Sequence, residues 1–148
     1  MIRVATHDDV DAMVEAAVLF LQESSFSRLI YNKAKTATHL HDLMDRNGFA
    51  VIYEKNGNVI GGMVGDLVQP WFSDDLIGID LILYIHSAYR SGKVAYQLIK
   101  AWQNWCIKNG ARQLRPVIST GQKAGNRLYE AMGFEYMGGA FLMDIQDN

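Results

Sequence analysis

The stretch Ile79-Asp-Leu-Ile-Leu-Tyr-Ile85 runs directly into His86-Ser-Ala-Tyr-Arg-Ser-Gly-Lys-Val-Ala95 and then Tyr96-Gln-Leu-Ile-Lys-Ala-Trp-Gln-Asn-Trp105. The first part is an apolar strand. The second is a tight turn of small residues, and the third carries apolar side chains at helical spacing. A strand that turns sharply into a helix aims unpaired backbone N–H groups, and the positive end of the helix dipole, at one spot. Such a spot suits a phosphate. The charge distribution agrees. Residues 81–129 hold eight Lys or Arg and no Asp or Glu. Residues 1–80 hold six basic against twelve acidic residues, and 130–148 hold none against four. A chain of net charge −2 has gathered its positive charge around the turn.

Working outward, 148 residues suit one domain over 1–148 with a real core. The near-neutral balance argues against a general nucleic-acid binder. With one cysteine, Cys106, no intramolecular disulfide forms. Its place between Trp105 and Ile107 in a helical pattern points to a buried, inert thiol. No stretch has the length of a membrane span, and Met1-Ile-Arg-Val-Ala-Thr6 lacks the plan of a signal peptide, so a cytoplasmic protein with no membrane partner is expected. No group of His, Cys, Asp and Glu has metal-ligand spacing, so no metal is expected.

Local signals give the element order β-α-α-β-β-β-α-β-α-β-β. Ile2–Ala5 reads as a strand, and Thr6-His-Asp-Asp9 supplies cap chemistry for a helix over Val10–Glu23. Ser24–Lys35 fits a short helix or an ordered loop, and Thr38–Arg46 a helix that stops at Asn47-Gly48. Phe49–Glu54 and Val59–Val68 flank Lys55-Asn-Gly-Asn58, a hairpin turn whose Asn-Gly supplies positive φ angles. Then come a loop over 69–75, strand Ile77–Ile85, helix Gly92–Asn109, strand Gln113–Ser119 and helix Gln122–Met132. Phe134–Ile145 is expected to form one or two closing strands around Gly138-Gly139. The fold class is mixed α/β (α+β type) on a largely antiparallel sheet.

With these elements in place, three motifs resemble the GNAT family of N-acetyltransferases over nearly the whole chain. Tyr89-Arg-Ser-Gly-Lys-Val-Ala95 falls where that family carries Gln/Arg-x-x-Gly-x-Gly/Ala after its fourth strand. Arg127-Leu-Tyr-Glu-Ala-Met-Gly-Phe134 matches its late helix and next strand, and Ile2-Arg-Val-Ala-Thr-His-Asp-Asp9 is like its first element. Lys93 stands where the family has its first glycine, and Gly92 lies one place earlier. The family often has Asn seven residues before the helix tyrosine, where this chain has Gln122.

The resemblance implies a V-shaped opening between the fourth and fifth strands, with acetyl-coenzyme A as acyl-donor cosubstrate. Its pyrophosphate is expected at the amides of Arg90, Ser91, Gly92, Lys93, Val94 and Ala95, with charge from Arg90 and Lys93. Its pantetheine arm is expected along Leu83, Tyr84 and Ile85, and Gln122 joins the cofactor site. Tyr129 corresponds to the family's proton donor to the leaving thiolate. A phenol suits that task because it is neutral at pH 7 and close to a thiol in pKa. Asp80 is the only carboxylate within Ile77–Ile85 and is named as the base that deprotonates the amine. Strand alternation puts Asp80 on one face with Ile82 and Tyr84, opposite Leu81, Leu83 and Ile85. His86, at the strand end, is an alternative relay.

The acceptor walls are expected at Phe20–Tyr31 and Val68–Leu76. Phe26, Tyr31, Trp71, Phe72, Asp74 and Asp75 give them an aromatic and acidic lip suited to a cationic amine. The reading is therefore transfer of an acetyl or other small acyl group to an amine, by direct attack in a ternary complex. The acceptor is a small molecule or a protein or peptide amine, and a homodimer is left open. Two rivals stand beside it: a non-catalytic coenzyme A-binding module, and a toxin-like enzyme acting on aminoacyl-tRNA, for which a broad basic face beyond the cofactor half would be needed.

Overall fold

The structure, a computed structural model, describes residues 1–118 and 122–145. Strands β1 (Ile2–Val4), β2 (Phe49–Lys55), β3 (Asn58–Val68), β4 (Leu76–Ile85) and β5 (Ala111–Arg115) form a sheet in that spatial order. Helices α1 (Val10–Gln22), α2 (Lys33–Asp45), α3 (Gly92–Lys108) and α4 (Gln122–Ala131) flank it. The first four strands pair antiparallel, whereas β4 and β5 are parallel, with α3 as the crossover.

Both faces of the sheet are covered, which is why β2 opens with four consecutive buried residues. Ala50, Ile52 and Val64 pack under α1 and α2, against Val10, Met13, Val14, Leu40 and Leu43. On the other face Phe49, Val51, Met63 and Ile85 pack under α3 and α4, against Val94, Leu98, Trp102, Cys106 and Tyr129. Two glycines let α3 lie close. A methyl group on Gly65 would stand 2.6 Å from Trp102 Nε1 and 2.9 Å from the Ile79 carbonyl oxygen, and one on Gly78 would stand 2.6 Å from Cys106 Sγ. Burial pushes the Cys106 thiol up to about 11, so it is the inert core residue expected.

The entry to α1 is held by charge. Arg3 donates to both Asp9 carboxylate oxygens (2.8 and 2.9 Å), and the Thr6 N–H donates to the same group (2.7 Å). The Arg3 guanidinium is the main cause holding Asp9 down at about 2. The hairpin turn has positive φ at Asn56 (52°) and Gly57 (78°), as Asn-Gly predicts.

Several expectations need correction. Helix α2 begins at Lys33, not Thr38, because the Asn32 side chain caps it by accepting from the Lys35 N–H (2.9 Å). Strand β5 spans Ala111–Arg115 rather than Gln113–Ser119, and stops before Pro116, which has no N–H for a ladder. Ser119 lies outside the described residues. The closing strands are absent: 134–145 carry no strand among the described residues. Apolar residues alone do not make a strand without a ladder partner, and positive φ at Gly138 (112°) breaks the extended run. Tyr136, Met137, Phe141, Leu142, Met143 and Ile145 of this segment are exposed. It is tied back by an ion pair between Arg28 and Asp144.

Gly65→Ala is expected to destabilise the fold by about 1–3 kcal/mol, as overpacking against backbone and a buried indole does. Gly92→Ala, where an added methyl meets nothing within 4 Å, serves as the control and should not destabilise. Urea midpoints compare the two; equal midpoints would remove the close approach of α3 as a packing constraint.

Candidate active site

The site is built where β4 and β5 part. Their parallel pairing ends at Ile79 and Arg115, and the next link recorded among the described residues is the Val117 N–H donating to Asp80 Oδ1 (3.0 Å). On its other side β4 stays paired with β3 out to Ile85. The His86 N–H donates to the Ile60 carbonyl (2.7 Å), so by strict alternation the backbone groups of Tyr84 and Ile82 also turn toward β3. Those of Leu83 and Ile85 turn into the opening. Of the three residues expected to line an added strand, two therefore present their backbones to the gap.

Past Ile85 the chain makes a 3₁₀ turn over Ser87–Tyr89 and enters α3 at Gly92. The Ser91 side chain caps α3 by accepting from the Val94 N–H (3.3 Å), and the Ala95 N–H is bonded to the Ser91 carbonyl (3.3 Å). Gly92 and Lys93 are the first-turn residues whose N–H groups have no acceptor within the helix. No acidic residue occupies that first turn. Of the six residues proposed from sequence, Val94 and Ala95 therefore have their amides already engaged within the turn. Arg90 is drawn away from the phosphate-shaped spot. Its Nε donates to the Ile85 carbonyl (2.9 Å), its guanidinium pairs with Glu23 at the end of α1, and it lies over the Tyr84 ring (5.7 Å). Lys93 is exposed at the turn. Gln122 opens α4, and its side chain lies outside the described part.

Asp80 sits on the opposite face from the one alternation predicts. The register of β4 on β3 steps from Val64–Ile82 to Gly65–Asp80, leaving Leu81 as a bulged residue. Asp80 then shares the α3 face with Gly78, Leu83 and Ile85, while Leu81, Ile82 and Tyr84 face α1. This brings Asp80 to the same side as Tyr129, and the two interact: the Asp80 charge helps to raise the Tyr129 pKa. Burial is the larger cause and keeps the phenol above its ordinary range, hence protonated. Burial also lifts the Asp80 carboxyl to about 6, against the opposing pull of the Val117 N–H and its own N–H. Tyr129 is a packing residue as well, edge-on to Phe134 at 5.2 Å. His86 is engaged in the turn, where Nδ1 accepts from the Ala88 N–H (3.3 Å), and it faces α1 rather than Tyr129.

On the α1 face of the bulge lies a cavity of about 420 Å³. Phe26 and Tyr31 line it, together with Phe20, Leu29, Ile30, Lys35, Leu81 and Ile82. Trp71, Phe72, Asp74 and Asp75 do not line it. They sit on the loop before β4, where Trp71 and Phe72 are exposed and Asp75 faces Arg112 at 3.8 Å. The part Lys35 and Leu81 play in the cavity had no local signal. It depends on the early start of α2 and on the bulge.

Comparisons with known proteins bear on the family and the fold. A family model described as an acetyltransferase (GNAT) domain matches residues 45–136. No curated protein matches the chain. Among solved structures, a protein from Clostridium acetobutylicum described as a predicted acetyltransferase, with acetyl-CoA, superposes with a TM-score of 0.81 at 15% identity, covering 97% of this chain and 95% of that one. A ribosomal-protein-alanine N-acetyltransferase from Brucella melitensis gives 0.78 at 19% identity, with 93% and 86% covered. An aminoglycoside 6'-N-acetyltransferase from Acinetobacter haemolyticus gives 0.74 at 12% identity, with 100% and 99% covered. At such identities the structures share a fold and no more. The family match spans well over half of the chain, from the end of α2 through Tyr129 to Phe134, and the chain belongs to the GNAT acetyltransferase family.

Proposed function

We propose that residues 1–148 act as one acetyltransferase domain that moves an acetyl, or other small acyl, group from its coenzyme A thioester to an amine. The acceptor attacks directly, with both substrates bound. The observation that carries this reading is the placement of Asp80 and Tyr129 on one face of the sheet, at the point where β4 and β5 part. The residues at hand fit a coenzyme A thioester. The amides of Gly92 and Lys93 and the positive end of α3 suit a pyrophosphate. The open backbone edge at Leu83, with the Ile85 carbonyl already taken by Arg90, suits an amide-bearing arm.

When bound, the donor supplies an acyl carbon and a thiolate leaving group. An amine arrives as ammonium and must lose a proton before it attacks, and Asp80, raised toward neutrality, accepts it. Tyr129 remains a neutral phenol and donates its O–H to the negative charge that develops on sulfur. Because its pKa is raised, it acts first as a hydrogen-bond donor, with proton transfer following as the charge matures. Arg90, held by Ile85 and Glu23, fixes the turn against β4 and α1. Cys106, buried with a raised pKa, is unsuited to a covalent relay.

Acetyl-coenzyme A is expected to raise the melting temperature, because it binds only the folded protein. Ala95→Glu, which adds bulk and negative charge beside the phosphate turn, should abolish the shift. No shift with the parent protein at millimolar donor would defeat the reading.

Tyr129→Phe should lower kcat by about ten- to a thousandfold while leaving donor affinity nearly unchanged. Since Asp80 must be ionised to act, kcat should rise with pH through about 6, and Asp80→Asn should remove that limb and lose less activity at alkaline pH. Steady-state rates from acid to alkaline pH decide. A Tyr129→Phe enzyme at full speed would reduce the tyrosine to packing, and a constant Asp80→Asn deficit would remove its role as base.

The same carboxyl predicts a stability signature. Its folded pKa of about 6 lies above the ordinary carboxylate value, so the fold favours the protonated form and loses stability as pH rises through that window. Asp80→Asn should therefore stabilise the protein by about 1–3 kcal/mol near pH 8, with the gain vanishing below about pH 4. Denaturant unfolding at both pH values checks it; a destabilised variant at the higher pH contradicts the assignment.

A further inference from the structure

The cavity on the α1 face of the β4 bulge carries a statement about the acceptor, one that rests on the function proposed above. Its walls are apolar: Phe20, Phe26, Leu29, Ile30 and Leu81 surround the space, with the Tyr31 ring beside them. Its volume of about 420 Å³ is that of a small-molecule site. Leu29 and Ile30 are 70% and 98% exposed, a patch that a ligand body would cover. Among the described residues no Asp or Glu lines the cavity, and the one charged lining residue is Lys35. The nearby carboxylates are engaged elsewhere, Glu15 with Lys33 and Glu23 with Arg90. Arg28, on the same connection, pairs with Asp144. Among the described residues no ion pair is recorded for Lys35.

This charge pattern has a consequence. An acceptor with several ammonium groups would have to strip water from each of them against an apolar wall, with no carboxylate to compensate and a lysine to repel them. A molecule with one amine and an apolar body meets neither penalty. The bulge sets Leu81 in this wall and the neighbouring Asp80 on the opposite face of the sheet, beside the opening where β4 and β5 part, so a single ammonium has to extend from the cavity through that opening to meet Asp80. We infer that the acceptor is a monoamine carried on an aromatic or branched apolar body, without a second positive charge, and that Lys35 and Phe26 set this preference. The acidic and aromatic lip at 71–75 lies outside this cavity and does not offset it.

The test is steady-state acetylation at saturating acetyl-coenzyme A, read by thiol release and by product mass. Phenethylamine and leucinamide are compared with spermidine and neamine. The monoamines are expected to exceed the polyamines in kcat/KM by about tenfold or more. Lys35→Glu, which places an acid in the first turn of α2 where the helix dipole tolerates it, should narrow that gap by about tenfold. Phe26→Asp should depress monoamine turnover, while the thermal shift given by acetyl-coenzyme A stays intact. Preference for the polyamines overturns the inference, as does no turnover of either class above the acceptor-free rate by a protein that binds the donor. So does a dimer in solution that Ile30→Asp dissociates, since a second copy would then own the patch. Loss of donor binding in the parent protein instead defeats the underlying acyltransferase reading, and the thermal shift separates the two failures.

Discussion

One unpaired residue in β4 organises everything around the opening. Leu81 is bulged out of the ladder with β3, so every side chain on its N-terminal side is turned over relative to a regular strand. Asp80 goes to the α3 face, where Tyr129 lies and where burial raises its pKa. Leu81 and Ile82, adjacent in sequence, both turn toward α1 and wall the cavity there. A regular strand would place Asp80 with Ile82 and leave the phenol without a carboxylate beside it. The bulge is tolerated because β4 keeps its pairing with β3 on both sides of it, so one local disruption is borne by a long ladder.

The second constraint is the parting of β4 from β5. A parallel pair of only four aligned positions, Leu76 to Ile79 against Ala111 to Arg115, is enough to fix the direction of β5. Beyond it the backbone edge of β4 is left available at Leu83, while the Ile85 carbonyl is taken by Arg90. An open edge of this kind is normally a liability. In this protein it coincides with a helix N-terminus and an acid-free turn, the combination expected of a site that takes a long phosphorylated ligand. Packing holds the arrangement. Gly65 and Gly78 let α3 settle on the sheet, with Trp102 and Cys106 filling the space that side chains there would have taken.

Charge is used more locally than the bulk distribution suggests. The basic half of the chain lies around the cofactor turn, yet Arg90 is committed to Glu23 and to the Ile85 carbonyl and acts as a brace. That brace joins the end of α1, which helps to wall the cavity on that face, to the turn before α3. Asp80 is the opposite case. A largely buried carboxyl whose N–H partners are those of Val117 and its own backbone is unfavourable for folding once ionised, and that imbalance is what raises its pKa.

What the sequence determined by itself was local chemistry and order. Asn56-Gly57 dictated the hairpin, because few other pairs accept positive φ at both turn positions. The helical spacing from Val94 to Cys106 and the small-residue turn before it dictated α3 and its exposed amides. The motifs around Tyr89–Ala95 and Arg127–Phe134 carried the family. What only the tertiary structure decided was which side chains meet. The face of Asp80 depended on a bulge seen in the register with β3, and nothing in Ile79-Asp-Leu-Ile-Leu83 marks the extra residue. The partner of Arg90 is Glu23, sixty-seven positions away in the chain. The cavity on the α1 face joins Phe26, Lys35 and Leu81 from three separate parts of the chain. The 134–145 segment shows the same limit from the other side, since its apolar pattern called for strands but a strand requires a neighbour to bond. Spacing along a chain fixes periodicity and conformational permission; it carries no record of register, and register sets the contacts between strands that are distant in sequence.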